Sequence, residues 1–151
     1  MKMITEITRQ KSTPPQIRLA AYCRVSSDSS DQLHSFAAQI KYYSEYCKRH
    51  PEYKFVDIYA DEGITGTSME KRDDFRRMLR DCKKGLIDRI IVKSMSRFAR
   101  NTEEMLTALR ALEQMEVSVY FEEQGLDTKS MNSEMFATFP GMVAQQESVS
   151  I

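Results

Sequence analysis

The chain has 151 residues, enough for one domain with a core of its own, and with 41% hydrophobic and 29% charged residues it is too apolar for a disordered chain. Lys plus Arg equals Asp plus Glu at 22 each, so no basic surplus announces a nucleic-acid partner; DNA binding would need positive charge gathered at one place, or a further gripping region elsewhere in the protein. Cys23, Cys47 and Cys82 are widely spaced, no signal peptide opens the chain, and no run of about 18 apolar residues occurs, which predicts reduced thiols, a cytoplasmic setting and no membrane partner.

Residues 1–16 are a polar lead that ends in Thr13-Pro14-Pro15. Residues 17–23 then run almost continuously apolar, as a strand covered on both faces would. A Ser/Asp-rich loop from position 26 to 31 follows. Beyond it Leu33, Phe36, Ala37, Ile40, Tyr43 and Cys47 recur at helical spacing until Pro51 forbids continuation. Residues 55–60 predict a second strand. A loop carrying Gly63 and Gly66 leads to a helix marked by Phe75, Met78, Leu79 and Cys82, which Gly85 can cap. Ile90, Ile91 and Val92 lie in a third buried strand, 89–93. After a short basic segment, Asn101 and Glu104 have the spacing of a capping box for a helix bearing Met105, Leu109, Leu112 and Met115. Residues 117–121 are the fourth strand.

Strands alternating with amphipathic helices predict an α/β fold, a mostly parallel central sheet with helices on both faces, because parallel neighbours need crossover connections. That core spans 17–132. From 133 to 151, Met135, Phe136, Phe139, Met142 and Val143 suggest a last helix. Pro140 interrupts it, and it reaches Ile151 without a closing signal, as the start of a longer helix cut short would.

Sites in open parallel sheets form beyond the carboxyl ends of the strands, which directs attention to the loops after the first and third. Tyr22, Arg24 and Ser26 share parity, so they can point to one side of the first strand's end. Arg97 and Arg100, three apart after the third strand, would share a face if that segment begins a helical turn. Arginine presents fixed, forked donors that match phosphate oxygens and stays charged at physiological pH. Taken singly, each residue has an ordinary reading: Ser26 a loop or cap serine, the arginines solvated or paired with Glu103 and Glu104, Tyr22 core, Cys23 a buried thiol, His34 and His50 surface histidines. Phosphate-loop, dinucleotide, zinc-protease and hydrolase-elbow motifs are all missing from the sequence.

Taken together, Tyr22-Cys23-Arg24-Val25-Ser26-Ser27 resembles the Y-x-R-V-S motif that opens the resolvase/invertase family of serine recombinases. Gln39 falls where the family has a glutamine on its first helix. The stretch Asp61-Glu62-Gly63-Ile64-Thr65-Gly66 looks like the loop after the second strand, Arg72 with Phe75 like the R-x-x-[LF] beyond it, and Val92 through Arg100 like the basic motif after the third strand. Arg97-Phe98-Ala99-Arg100 is most similar to the large serine recombinases of the phage-integrase and transposon type. Ser96 stands where resolvases have an aspartate, so no acid's role carries over there, and Pro140 departs from the family's uninterrupted helix.

The resemblance implies a resolvase-like catalytic domain acting in integration, excision or transposition, with Ser26 as nucleophile and a covalent 5′-phosphoserine link to DNA. Arg24, Arg97 and Arg100 would contact the scissile phosphate, with Arg72 next; Gln39 and Tyr22 would position the others, and Asp61 would act as base or orient an arginine. It implies no ATP, metal or small-molecule cofactor. The partners would be duplex DNA recombination sites and the protein itself, a dimer on each site and a tetramer when two sites meet, with 133–151 opening the oligomerisation helix. A non-catalytic DNA-binding or regulatory module of the same fold is the competing expectation, as is, more distantly, a phosphatase or metal-dependent nuclease of similar architecture.

Overall fold

The structure, a computed structural model, describes residues 15–25, 35–62 and 72–132, together with Met135, Thr138 and Gly141. A five-stranded sheet has the order β2-β1-β3-β4-β5. Its strands are β1 (Ile17–Val25), β2 (Tyr53–Glu62), β3 (Arg89–Val92), β4 (Ser118–Phe121) and β5 (Leu126–Asp127). β1 runs parallel to β2 and β3, β3 parallel to β4, and only β5 is antiparallel to its neighbour. The α/β class, the mostly parallel sheet and the helices on both faces agree with the sequence reading.

Among the described residues four α-helices connect the strands: α1 (Phe36–Arg49), α2 (Asp73–Lys83), the single turn α3 (Met95–Phe98) and α4 (Thr102–Gln114). One face of the sheet is covered by α2 and α4. There Ala20, Tyr22, Ile90, Val92, Val119 and Phe121 of the strands meet Phe75, Met78, Met105, Leu109 and Leu112 of the helices. Each fully buried side chain of this size contributes roughly 1.5–3 kcal/mol. On the other face Leu19, Ala21, Cys23, Ile58 and Ile91 meet Tyr43 of α1, with Ile40, Tyr46 and Cys47 packed partly over them. Strand parity thus divides β1 between two cores, as a strand buried on both sides requires.

Local chemistry sets the helix ends. Ser35 caps α1, its hydroxyl accepting from the Ala38 amide at 3.2 Å, and Pro51 lies just past the end. At the end of α2, Gly85 (φ +78°) donates to the Cys82 carbonyl and Leu86 to that of Asp81, the paired bonds of a Schellman motif. After α4 the same motif recurs, Val117 donating to Leu112 and Glu116 to Glu113, but its left-handed position is filled by Glu116 (φ 60°). Asn101 caps α4 by accepting from the Glu104 amide at 2.9 Å.

Two features depart from the sequence reading. β5 and the 3-10 turn at Thr128–Ser130 were not anticipated; Gly125 (φ 59°) turns the chain back so that Leu126 pairs with Phe121. The basic segment after β3 makes only one turn of helix, and Ala99 (φ −149°) is extended, so Arg97 and Arg100 do not share a helical face. Met135, Thr138 and Gly141 are helical, with Asn132 accepting from the Met135 amide at 2.9 Å. The remainder of the expected last helix, like Leu33, His34, Gly63 and Gly66, lies outside the described residues. Among the described residues no helix is long and apolar enough to cross a membrane.

Candidate active site

From β1 the chain passes through α1 to β2 on one side, while β2 connects through α2 to β3 on the other. The C-terminal ends of β1 and β3 therefore flank a topological switch point, where an open parallel sheet leaves a crevice. A small cleft lies there, lined by Tyr22, Cys23, Arg24, Gln39, Lys93 and Arg97, with Tyr43 behind. A roomier cavity of about 370 Å³ sits at the opposite end of the strands, near Ile17, Arg89 and Val117. Arg89 is held there by two 2.9 Å bonds to Asp127, and strand starts are not where this sheet topology gathers loops.

The seven described candidates fall into two linked groups. Arg24, Gln39 and Arg97 belong to the cleft. Arg97 donates to the Arg24 carbonyl at 3.5 Å, which brings its guanidinium across from α3 to the end of β1. On the other wall, the Cys23 thiol donates to Gln39 Oε1 at 3.6 Å, tying α1 to the strand. Burial pushes the Cys23 thiol up to about 12, against the lowering field of Arg97. The thiol is thus a buried donor, and its thiolate is disfavoured. Ser26, the residue after the last one of β1, lies outside the described residues.

The second group is buried on the α2 side. Tyr22 is 1% exposed, and its hydroxyl donates to Asp61 Oδ2 at 2.7 Å. Asp61 also accepts from the amides of Asp74 (2.9 Å) and Phe75 (3.1 Å), so a carboxylate at the end of β2 caps α2. An anion is favoured there, since these amides have no partner within the helix and the dipole adds positive charge. Burial, then the bond to Asp61, raise the Tyr22 phenol well above its ordinary value, so it stays a neutral donor.

Arg72 precedes α2 and spans from this group to the next helix. Its guanidinium carbon lies 3.8 Å from the centre of the Phe75 ring. It donates to the Phe98 carbonyl, to Tyr22 Oη at 3.5 Å and to Glu104 Oε1 at 3.3 Å. Among the described residues its buried Nε has no hydrogen-bond partner. Arg100, more exposed, donates through Nε to the other oxygen of Glu104 at 3.2 Å. The structure therefore brings Arg24, Gln39 and Arg97 together around the cleft, and chains Tyr22, Asp61, Arg72 and Arg100 beside it through Glu104.

Residues 19–151 match the family described as Resolvase, N-terminal domain. The chain belongs to the resolvase family of serine recombinases. A "Resolvase/recombinase" of Pseudomonas putida is 26% identical over 135 residues, covering 89% of this chain and 67% of that protein. A resolvase family site-specific recombinase from Streptococcus pneumoniae superposes with a TM-score of 0.67 at 27% identity, over 89% of this chain and 91% of that one. The N-terminal catalytic domain of TP901-1 integrase shares the fold, with a TM-score of 0.66 at 19% identity, over 88% and 96% of the two chains.

Within this resolvase-family domain, Lys93 and Glu122 beside the cleft carry no signal of their own in the sequence. Lys93 belongs to the basic motif after β3, and its ammonium lies 5.7 Å from the centre of the Tyr42 ring. Tyr42 and Tyr43 both donate to Glu122, at 2.6 and 2.8 Å, a carboxylate just beyond β4. Nothing in the local sequence pairs α1 with a residue so distant. The pairing of Glu104 with Arg100 agrees with the ordinary reading of the sequence, whereas its hold on Arg72, 32 positions away, has no local signal.

Proposed function

We propose that this domain cleaves and rejoins duplex DNA in site-specific recombination of the integration, excision or transposition type. The Ser26 oxygen attacks the scissile phosphorus and the bond to the 3′ oxygen breaks. The 5′ phosphate remains on the serine as a phosphodiester, while the serine proton departs and the 3′ oxygen leaves as a hydroxyl. The diester energy is retained in the protein–DNA bond, so rejoining by reverse attack needs no ATP.

One observation carries this reading: Arg97 crosses from α3 to the end of β1, where it meets Arg24 two residues before Ser26. The Arg97 guanidinium, with a second arginine on the adjoining strand end, suits the developing charge on non-bridging phosphate oxygens. Gln39 acts as a positioning residue on the α1 wall. Tyr22 and Asp61 hold α2 and Arg72 in place, and the three bonds that Asp61 accepts favour a structural role for it over that of base. Arginine proximity, on this reading, eases ionisation of Ser26. The protein works as a dimer on each site and a tetramer at synapsis, with 133–151 contributing to association.

The test is to incubate the full-length protein with a nicked recombination site, which traps cleavage, and to map the residue joined to DNA. Attachment through Ser26 is expected. A Ser26→Ala protein that still became attached would overturn the assignment.

A further inference from the structure

Glu104 stands between two arginines whose surroundings differ. Its Oε1 accepts from Arg72 and its Oε2 from Arg100, at 3.3 and 3.2 Å. The Arg72 side chain is 12% exposed, stacked on Phe75 and bonded to the Phe98 carbonyl, whereas that of Arg100 is 48% exposed and sits in the extended link before α4. A buried cation left without its counter-charge is far more costly than an exposed one. An ion pair as exposed as Arg100 with Glu104 is weak and exchangeable.

The geometry points to Glu104 as a positioning residue with two unequal duties: it keeps its hold on Arg72 and parks Arg100, releasing Arg100 to a DNA phosphate when the site is filled. This rests on the recombinase reading above. The carboxylate suits the role because it lies in the first turn of α4, where Asn101 fixes the backbone and the helix dipole favours an anion. A phosphate diester presents forked oxygens to a guanidinium much as a carboxylate does, so Arg100 would trade one anion for another. Glu104 would then oppose DNA through Arg100 while supporting the fold through Arg72. A residue serving only as a helix cap would have no reason to act on Arg100.

The experiment compares wild type, Glu104→Gln, Arg100→Ala and the double variant, all full length, for the rate of covalent attachment to a nicked site. Glu104→Gln, whose amide oxygen can still accept from Arg72, should attach about two- to fivefold faster than wild type, the range expected for loss of a partly exposed ion pair, and should give no such gain once Arg100 is alanine. A rate equal to or slower than wild type, or the same change with and without Arg100, would overturn the proposal. Should Glu104→Gln fail to fold, the wild-type protein with labelled arginine side chains gives a second readout. The Arg100 Nε resonance should move on adding the nicked site while that of Arg72 stays, and the reverse pattern would count against parking. Attachment by Ser26→Ala would instead sink the recombinase reading, whatever the Glu104 variants do.

Discussion

Tyr22 and Asp61 stand on neighbouring parallel strands, and the phenol of one donates at 2.7 Å to a carboxylate that also accepts two amides of α2. The pair joins β1, β2 and α2 at the edge of the candidate site. Tyr22→Phe keeps the ring against Phe75 and removes only the hydroxyl, so it should cost about 1.5–3 kcal/mol, the range for a hydrogen bond to a charged group. Asp61→Asn should cost at least as much, and the two should be non-additive in a double-mutant cycle. Urea unfolding at unchanged m-value measures both, and independent, additive effects would contradict the shared network.

Arg97 reaches the cleft through a carbonyl contact and is only partly buried, so its loss should leave the fold intact. Arg97→Ala in the full-length protein should slow covalent attachment by about 10²–10³-fold, the usual scale for removing one preorganised transition-state donor. Arg97→Lys should recover little, because an ammonium lacks the forked geometry. An unfolding midpoint close to wild type would separate this from destabilisation.

Glu116 occupies a left-handed backbone position that its motif ordinarily gives to glycine. Glu116→Gly should therefore raise stability, by about 0.5–1 kcal/mol, since a side chain at positive φ costs roughly 1–2 kcal/mol and the freer unfolded chain returns part of the gain. Gly85→Ala, at φ +78° in the matching position after α2, should destabilise by a similar amount. Thermal unfolding of the two variants side by side checks the pair of opposite signs.

The three thiols should react unequally. Burial pushes Cys23 and Cys82 up to about 12, and Cys47, half-buried on α1, is raised by burial as well. At pH 8 the thiolate of the first two is therefore scarce as well as enclosed. A colourimetric disulfide reagent should titrate one thiol, Cys47, in the native protein and all three in urea. Prompt reaction of Cys23 in the native state would contradict its place behind Gln39.

Much of this was legible in the chain. Continuous apolar runs at Leu19–Cys23 and Ile90–Val92 announce strands buried on both faces, and the helical spacing of Phe75, Met78 and Cys82 finds its core as expected. β5 escaped because two residues have no periodicity; only Gly125 hinted at the turn that makes it. In the site, the strand-end residues could be read from parity and motif. The extended Ala99, which parts Arg100 from Arg97, could not, since spacing of three reads as one helical face until the backbone is seen. Glu104 shows the same limit, for its hold on Arg72 spans 32 positions while its cap partner is three away.

Glu122 receives hydroxyls from two consecutive residues of α1. Neighbouring side chains leave a helix about 100° apart around its axis. One bond would let the helix roll like a hinge pin, whereas two from different bearings fix its rotation. The angle at which Gln39 faces Cys23 is thus set from beyond β4, 79 and 80 positions along the chain from the tyrosines that report it.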